Sequence, residues 1–256
     1  MDNLNAGDLL LWRLLGPPGP PITQALTVAE AARDGEIRLS AATRGTEILP
    51  DCLHGPGAPG EAHRHAFRIP LDRDGDGRID HLAYHIPGGL CLDAAKLLAM
   101  LGCVDVDGWH RYALVSALPD VGLAGPARRW RSVTPFFGPD HSRRKNRVRP
   151  GHSAGEQLMR ELGRLGRDFP SCEVTALAPR SLGLPSPRNF WLGEKDRRKN
   201  LPGRPEWGYY ALSFEVPVAG PIAAGYGAHF GLGCFLPDRP LDADTSRKRV
   251  GKGGNS

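Results

Sequence analysis

The sequence lacks the long apolar segments that mark membrane-spanning and secreted proteins. No stretch approaches the roughly 20 consecutive apolar residues that a transmembrane helix needs. The N-terminus lacks a basic region followed by an apolar core and a small-residue cleavage site, so we predict no signal peptide. These absences favour a soluble, cytoplasmic protein that does not associate with a membrane.

Cysteine is also scarce, and its spacing does not indicate a metal site. No C-x-x-C pair occurs, and an odd number of cysteines is typical of a protein from a reducing compartment. We predict no zinc among them and interpret them as small, buried apolar residues. The five are Cys52, Cys91, Cys103, Cys172 and Cys234.

Basic residues are abundant, and their distribution is more informative than the formal net charge of +5. Clusters of Lys and Arg on loops rich in Pro and Gly are typical of phosphate-binding surfaces, so we predict contact with nucleic acid. Solvated loops that raise solubility have the same composition and are the alternative. The clusters are Arg128, Arg129 and Arg131; Arg143, Arg144, Lys145, Arg147 and Arg149; residues 195–199; and residues 247–252.

Trp130 lies among the arginines of the first cluster. An aromatic ring beside guanidinium groups is able to stack on a base while those groups hold phosphates. The alternative is a tryptophan buried at the edge of a strand. The sequence leaves both interpretations open.

The central part of the chain predicts an α+β fold. Two predicted strands are joined by an Asp-Gly turn at 72–77, and a helix capped by Asp93 and two more strands follow. The order of strand, strand, helix and strand is typical of a ferredoxin-like sandwich. The predicted strands are 64–69, 79–86, 111–118 and 130–137, and the predicted helix is 94–101.

The C-terminal half repeats this combination of helix and sheet more loosely, which favours two ferredoxin-like domains in tandem. Ser153 and Glu156 have the spacing of a capping box, and an apolar helical face follows them. That face comprises Leu158, Met159, Leu162 and Leu165, and strands are predicted at 172–177 and 209–216. The predicted organisation is an N-terminal segment with a Pro/Gly linker at 1–21, a first domain at 22–140, a second domain at 141–237 and a disordered basic tail at 238–256.

A glycine-rich run near the C-terminus is the most informative motif. Successive backbone N–H groups in such a loop are able to hold a phosphate, because glycine permits positive φ and a close approach. The run is neither a Walker A loop nor a G-x-G-x-x-G followed by a helix. A glycine-rich turn packed against a sheet is the alternative. The residues predicted to contact RNA are Gly225, Gly227, His229, Gly231 and Gly233.

Histidines on the predicted hairpin are candidates for proton transfer. His63 and His65 flank Arg64 on the first strand, and His81 and His85 lie on the facing strand. A ribonuclease that works without metal needs a base for the 2′-OH and an acid or cation for the departing 5′-oxygen and the charged phosphorane. We predict that the catalytic residue is among His65, His63 and His81, and that Arg64 contacts the RNA.

Two metal sites are disfavoured alternatives. The histidines of the hairpin have a spacing that would suit zinc, but no cysteine or carboxylate partners are arranged around them. Asp72, Asp74 and Asp76 match the first half of a calcium loop, but its twelfth position is Ala83 instead of glutamate, and a strand follows. We therefore predict a plain turn, no metal and no other cofactor.

Four motifs in the same order resemble one known family. They are HRHAF at 63–67, DGDGRIDH at 74–81, GPARRWRSVTPF at 125–136 and GYGAHFGLGCF at 225–235. Over residues 20–237 the chain resembles the type I-U (also called I-G) CRISPR subunit of the RAMP superfamily. That family fuses a crRNA-handle-binding module to a Cas-six-type endoribonuclease module, and the likeness is to the nuclease-like half.

The resemblance implies two ferredoxin-like domains, a glycine-rich loop that contacts RNA, and partners among other type I effector subunits. It further implies metal-independent cleavage of pre-crRNA within CRISPR repeats, leaving a 2′,3′-cyclic phosphate and a 5′-hydroxyl, as a part of antiviral defence. The chain departs from the family in length, because the handle-binding module is replaced by about 20 residues that end in the Pro/Gly linker. A non-catalytic crRNA-binding subunit is therefore the second hypothesis.

Overall fold

The structure is a computed structural model, and it describes residues 9–16, 18–54, 64–106, 108–118, 121–140, 142–144, 147–165, 169–190 and 206–238. Helices combine with antiparallel sheets, which agrees with the predicted α+β class. No helix in this described part of the chain has the length and apolar character that crossing a bilayer requires.

The first half of the chain forms a five-stranded antiparallel sheet with helices. Its elements are β1 (Leu9–Leu15), α1 (Ala25–Arg44), α2 (Asp51–His54), β2 (Phe67–Leu71), β3 (His81–His85), α3 (Leu92–Met100), β4 (Cys103–Val106) and β5 (His110–Ala117). The strand order is β2-β3-β1-β5-β4, and helices α1 and α3 pack on one face of the sheet around an apolar core. The predicted hairpin is present as β2 and β3, and the predicted helix is present as α3, although Cys91 and not Asp93 is its N-cap residue.

Strand β1 lies in the interior of this sheet, between β3 and β5. The sequence predicts only an N-terminal segment and linker for residues 1–21, so this strand is a correction. Trp12 and Leu14 pack towards the helices, whereas Leu9 and Leu11 pack on the opposite face. Apart from Arg13, β1 is a continuous apolar run, so it lacks the alternation of polar and apolar residues that identifies a strand with one exposed face.

The second half of the chain forms another antiparallel sheet. Its elements are α4 (Val121–Ala124), β6 (Ala127–Ser132), β7 (Phe136–Phe137), β8 (Arg143–Arg144), β9 (Arg147–Val148), α5 (Ala154–Arg164), β10 (Cys172–Leu177), β11 (Trp207–Val218), β12 (Ile222–Ala223) and β13 (Cys234–Pro237). The strand order is β10-β11-β6-β13-β12, β7 pairs with β11 beside it, and helix α5 packs on one face of the sheet. Strands β8 and β9 form a separate two-stranded ribbon.

The two sheets have the same connectivity. In each, the first strand is central, a helix leads to a hairpin on one side, and a final hairpin lies on the other side. The helix α3 has no counterpart, because residues 219–221 join β11 directly to β12. The predicted boundary at residue 140 differs from this arrangement, since β6 and β7 pair only with strands of the second sheet.

Local signals predicted α5 and β10 well. Ser153 accepts a hydrogen bond from the Glu156 backbone amide, and the Glu156 carboxylate accepts one from the Ser153 amide, which is the predicted capping box. Leu158 and Leu162 are buried, but Met159 is 43% exposed and does not belong to the apolar face.

A third apolar cluster fills the space between the two sheets. Phe67 and Ile69 of β2 contribute from the first sheet, and Ala223 and Cys234 contribute from the second. Ala228 also belongs to this cluster, and it lies in the glycine-rich segment at residues 225–235. The glycine-rich segment is therefore held at the junction of the two halves.

Candidate functional site

The glycine-rich segment folds back onto strand β2. It contains a short 3-10 helix, Ala228–Phe230, that begins after Gly227 and ends at Gly231, both of which are in the left-handed region. A Cβ atom at Gly231 would lie 2.4 Å from Cδ of Pro70. The segment thus needs glycine both for its turns and for its close approach to the strand.

This docking brings together two histidines that the sequence separates by more than 160 positions. The imidazole rings of His65 and His229 stack with centroids 3.8 Å apart, and His229 also stacks on Phe67 at 4.0 Å. His85, opposite Phe67 on β3, lies 6.2 Å from the Phe67 ring. His65 and His85 are buried, whereas His229 is half-buried.

The contact of His229 with the backbone fixes its tautomer. Nδ1 of His229 lies 3.3 Å from the carbonyl oxygen of Ala66. A carbonyl oxygen only accepts hydrogen bonds, so Nδ1 carries the proton in this arrangement, and Nε2 of the neutral ring carries the lone pair. The ring is thereby oriented by the residue that follows His65.

His81, another predicted catalytic histidine, is not at this site. His81 lies at the far end of β3, where it pairs with Leu71, four residues along the strand from the Phe67–His85 pair, or about 13 Å at the usual rise. Its Nδ1 lies 2.9 Å from Oδ1 of Asp80. His63 is outside the described residues, and Arg64 is exposed beside His65.

The backbone amides of the glycine-rich segment are largely committed to its own fold. The amides of Phe230 and Leu232 donate to the Gly227 carbonyl, and those of Tyr226 and Gly233 donate to the carbonyls of Phe137 and Pro135. The geometry therefore favours the packed turn over a loop whose successive amides face a phosphate.

The arginines of the first basic cluster lie on β6. Arg128, Arg129 and Arg131 are exposed, and Nε of Arg131 lies 3.7 Å from Oδ1 of Asp238. Arg131 pairs with Leu236 of β13, two residues from Cys234, so these side chains share one face of the sheet. Arg131, and Arg129 two residues before it, therefore lie on the face of the sheet that carries the cluster holding the glycine-rich segment.

The structure describes the remaining basic clusters only in part. Arg143 and Arg144 form the short ribbon with β9, and Arg149 contacts His152, with 2.8 Å between Nη2 and Nε2. Lys145, residues 195–199 and residues 247–252 lie outside the described residues.

Trp130 does not present a stacking surface, which excludes the base-stacking interpretation. The side chain is fully buried, and its Nε1 donates to the carbonyl oxygen of Ala127 at 3.0 Å. Gly220 packs against the ring, so closely that a Cβ atom there would lie 2.1 Å from the indole. The exposed aromatic of this region is Trp207, 38% exposed, with the Arg188 guanidinium 5.9 Å from its ring.

Of the two disfavoured metal sites, the described structure brings together the aspartates of one but not the histidines of the other. Among the described residues, the group of possible ligands that converges is Asp72, Asp74 and Asp76, whose carboxylate oxygens lie within 4.8 Å of one another. Burial and the neighbouring carboxylates raise the pKa of Asp72, although the amides of Gly77 and Gly75 donate to it. The histidines of the hairpin do not converge in the same way within this part of the chain.

Comparison with known proteins gives no assignment: no family model, curated protein or solved structure matches the chain. The function must therefore be inferred from the chemistry of the residues that the fold brings together.

The docking of the glycine-rich segment can be tested by paired substitutions. Gly231→Ala and Gly75→Ala both place an L residue at a φ near +80°, which costs roughly 1–2 kcal/mol in each case. Only Gly231 also meets a neighbour, Pro70, whereas nothing lies within 4 Å of a Cβ atom at Gly75. We expect Gly231→Ala to lower the free energy of unfolding, measured with urea, by about 1–3 kcal/mol more than Gly75→Ala does. Equal losses would contradict the docked arrangement.

Proposed function

We propose that the protein is a metal-independent endoribonuclease that cleaves pre-crRNA within CRISPR repeats, and that His229 is its general base. The observation that supports this proposal is the contact between His229 and His65, two imidazoles from distant parts of the chain with ring centroids 3.8 Å apart. Histidine is the side chain best suited to proton transfer near neutral pH.

The tautomer of His229 suits a base. Its Nδ1–H faces the carbonyl of Ala66, so the lone pair is on Nε2. Nε2 accepts the proton of a ribose 2′-OH while that oxygen attacks the adjacent phosphorus. The bond to the 5′-oxygen then breaks, and this oxygen takes a proton from water, whose hydroxide is neutralised by the proton on His229. The products are a 2′,3′-cyclic phosphate and a 5′-hydroxyl.

Two further residues have supporting roles in this proposal. His65 is nearly buried behind His229, so it positions the base, or in its protonated form stabilises charge close to it. Arg64 is exposed next to His65, and its guanidinium suits the negative charge of the phosphorane. No metal is needed for these steps.

The fold supports the same proposal. The connectivity that the two sheets share supports the proposal of two ferredoxin-like domains in tandem, although each sheet has an added edge strand and the second half has no counterpart of α3. Arg129 and Arg131 of β6 share a face with the cluster that holds the glycine-rich segment, whereas Arg128 lies on the opposite face with Trp130. An RNA backbone held along Arg129 and Arg131 would extend towards His229. Such a protein acts in the cytoplasm in antiviral defence, alone or with other effector subunits.

The test uses synthetic CRISPR repeat RNAs of type I systems, incubated with the purified protein in excess EDTA. We expect one repeat to be cut at a single position, and we expect a single 2′-deoxy substitution at that position to abolish cleavage, because it removes the attacking hydroxyl. Cleavage of the deoxy RNA, or a strict requirement for a divalent metal, would refute this mechanism.

A non-catalytic crRNA-binding subunit is the second candidate function. The observation that favours it is the burial of His65, 7% exposed, and His85, 4% exposed, since buried histidines more often have a structural role. Under this alternative the same RNAs bind but remain intact. Binding that weakens in the Arg129→Ala/Arg131→Ala variant, without cleavage by the wild type, would support the binding subunit.

A further inference from the structure

We propose that Cys52 and Cys91 are a site of oxidative modification, where an intramolecular disulfide forms on exposure to a small-molecule disulfide. Their Sγ atoms lie 3.3 Å apart, although the residues are 39 positions apart in the chain. A disulfide bond is about 2.05 Å long, so the two atoms need to approach by only about 1.3 Å. This inference does not depend on the proposed ribonuclease activity.

The two thiols differ in a way that sets the order of events. Cys91 is exposed at the N-terminus of α3, where it is the N-cap residue, and Cys52 is only partly exposed in α2. Burial raises the pKa of Cys52 to about 11, so Cys52 is a thiol at neutral pH. Cys91 is therefore the sulfur that a soluble oxidant reaches first.

The reaction is a two-step thiol–disulfide exchange with a low-molecular-weight disulfide such as oxidised glutathione. The Cys91 thiolate attacks one sulfur of the small disulfide, whose S–S bond breaks and releases one small thiolate. Cys52 gives its proton to that thiolate, attacks Sγ of Cys91 in the mixed disulfide and expels the second small thiolate, which takes a proton from water. Two protein thiols are oxidised by two electrons, and the small disulfide is reduced to two thiols.

The remaining cysteines are in different surroundings. Cys103 and Cys172 are partly buried on strands of different sheets, and Cys234 is fully buried between them. Burial raises the pKa of Cys234 to about 12 and also raises that of Cys172. A soluble disulfide should therefore select the Cys52–Cys91 pair.

The bond would tie the chain that enters β2 to helix α3. The carbonyl of Cys52 accepts a hydrogen bond from the amide of Ala66 at 2.7 Å, and the carbonyl of Leu53 accepts one from Arg68 at 3.0 Å. The cross-link closes a loop that contains the whole hairpin of β2 and β3. Such a loop constrains the unfolded chain, and we expect the melting temperature to rise by about 5–10 °C.

The experiment uses the full chain, reduced, desalted and then incubated with oxidised glutathione before free thiols are alkylated at low pH. Trypsin places Cys52 in the peptide 45–64 and Cys91 in the peptide 79–96. We expect these two peptides to be recovered as one disulfide-linked species from the wild type. The matched control Cys103→Ser should give the same species, and Cys91→Ser should not.

Three results would overturn the proposal. The first is alkylation of both Cys52 and Cys91 after oxidation, and the second is a stable glutathione adduct on Cys91 without the linked peptides. The third is a link from either residue to another cysteine. Because the mapping is made on the wild-type protein, a variant that fails to fold does not prevent the test.

Discussion

Replacing Glu36 with alanine should lower the free energy of unfolding by about 3–5 kcal/mol, because it leaves a guanidinium group unpaired in the core. Glu36 is fully buried on α1, and Arg68, 2% exposed, reaches it from β2. Nε of Arg68 donates to Oε1 of Glu36 at 2.7 Å, and Nη2 donates both to the other carboxylate oxygen and to the carbonyl of Leu53. Tyr84 of β3 donates its hydroxyl to the same carboxylate at 2.6 Å.

Electrostatics explain why this loss should be large. Burial opposes the charge of Arg68, but the negative charge of Glu36 and its hydrogen bonds outweigh burial, so the pKa of Arg68 is raised. Burial and the charge of Glu36 also raise the pKa of Tyr84 well above its usual value, which keeps its hydroxyl protonated as a donor. Without Glu36, the Arg68 cation loses the partner that makes its burial tolerable.

Two variants separate this effect from a general loss of packing. The double substitution Glu36→Leu/Arg68→Met removes both charges together and should recover much of the stability, since no ion is left buried. Asp105→Ala removes an exposed ion pair with Arg111, whose Nε–Oδ1 distance is 2.6 Å, and should change stability far less. Urea unfolding measures all three. A Glu36→Ala loss no larger than that of Asp105→Ala would show that the buried pair does not have this role.

The buried triad of Glu36, Arg68 and Tyr84 also illustrates what the sequence could not predict. Glu36 and Arg68 are charged residues in amphipathic or mixed surroundings, and charged residues are rarely buried completely. Their pairing depends on how α1 crosses the sheet, which no local pattern encodes. The capping box at Ser153 was predictable because both of its partners lie within three residues of each other.

Strands are predictable from sequence where one face is exposed to solvent. Strand β10 (Cys172–Leu177) has the predicted limits, and partly buried and exposed positions alternate along most of its length. Strand β1 lacks this alternation, because Leu9 and Leu11 on one face and Trp12 and Leu14 on the other are buried against neighbours from distant parts of the chain. The predicted strand at 130–137 is divided into β6 and β7, and Val133 between them joins the cluster between the sheets.

The candidate site shows the same division between local and long-range information. Composition and spacing singled out His65 and His229 for separate reasons, one as a base and one as part of an RNA-contacting loop. Their contact depends on the docking of Gly231 against Pro70, a tertiary feature that the sequence does not reveal. Likewise, the scattered positions of Cys52 and Cys91 gave no indication that their sulfur atoms are neighbours.

His229→Asn should abolish RNA cleavage, lowering the rate by about 10²–10⁴-fold, if His229 is the general base of the proposed ribonuclease. Asparagine is a deliberate choice, because its side-chain N–H can take the place of Nδ1–H and donate to the carbonyl of Ala66. The substitution removes the basic Nε2 but keeps a donor for the backbone. Folding and RNA affinity should therefore change little.

The matched control is His81→Ala. His81 is one of the catalytic candidates predicted from the sequence, but it lies beside Asp80 at the other end of β3. We expect this variant to cleave at nearly the wild-type rate, and we expect added imidazole to restore part of the activity of His229→Ala by supplying the missing base. Single-turnover cleavage, with affinity measured separately on the 2′-deoxy RNA, distinguishes chemistry from binding.

The pattern across these variants identifies the general base. Loss of cleavage in His229→Asn with unchanged affinity assigns proton transfer to His229, and a smaller loss in His65→Ala fits a residue that positions the base by stacking on it. If His229→Asn cleaves as fast as the wild type while His81→Ala does not, the base is at the far end of the hairpin instead. The stacked pair would then be a packing contact that anchors the glycine-rich segment.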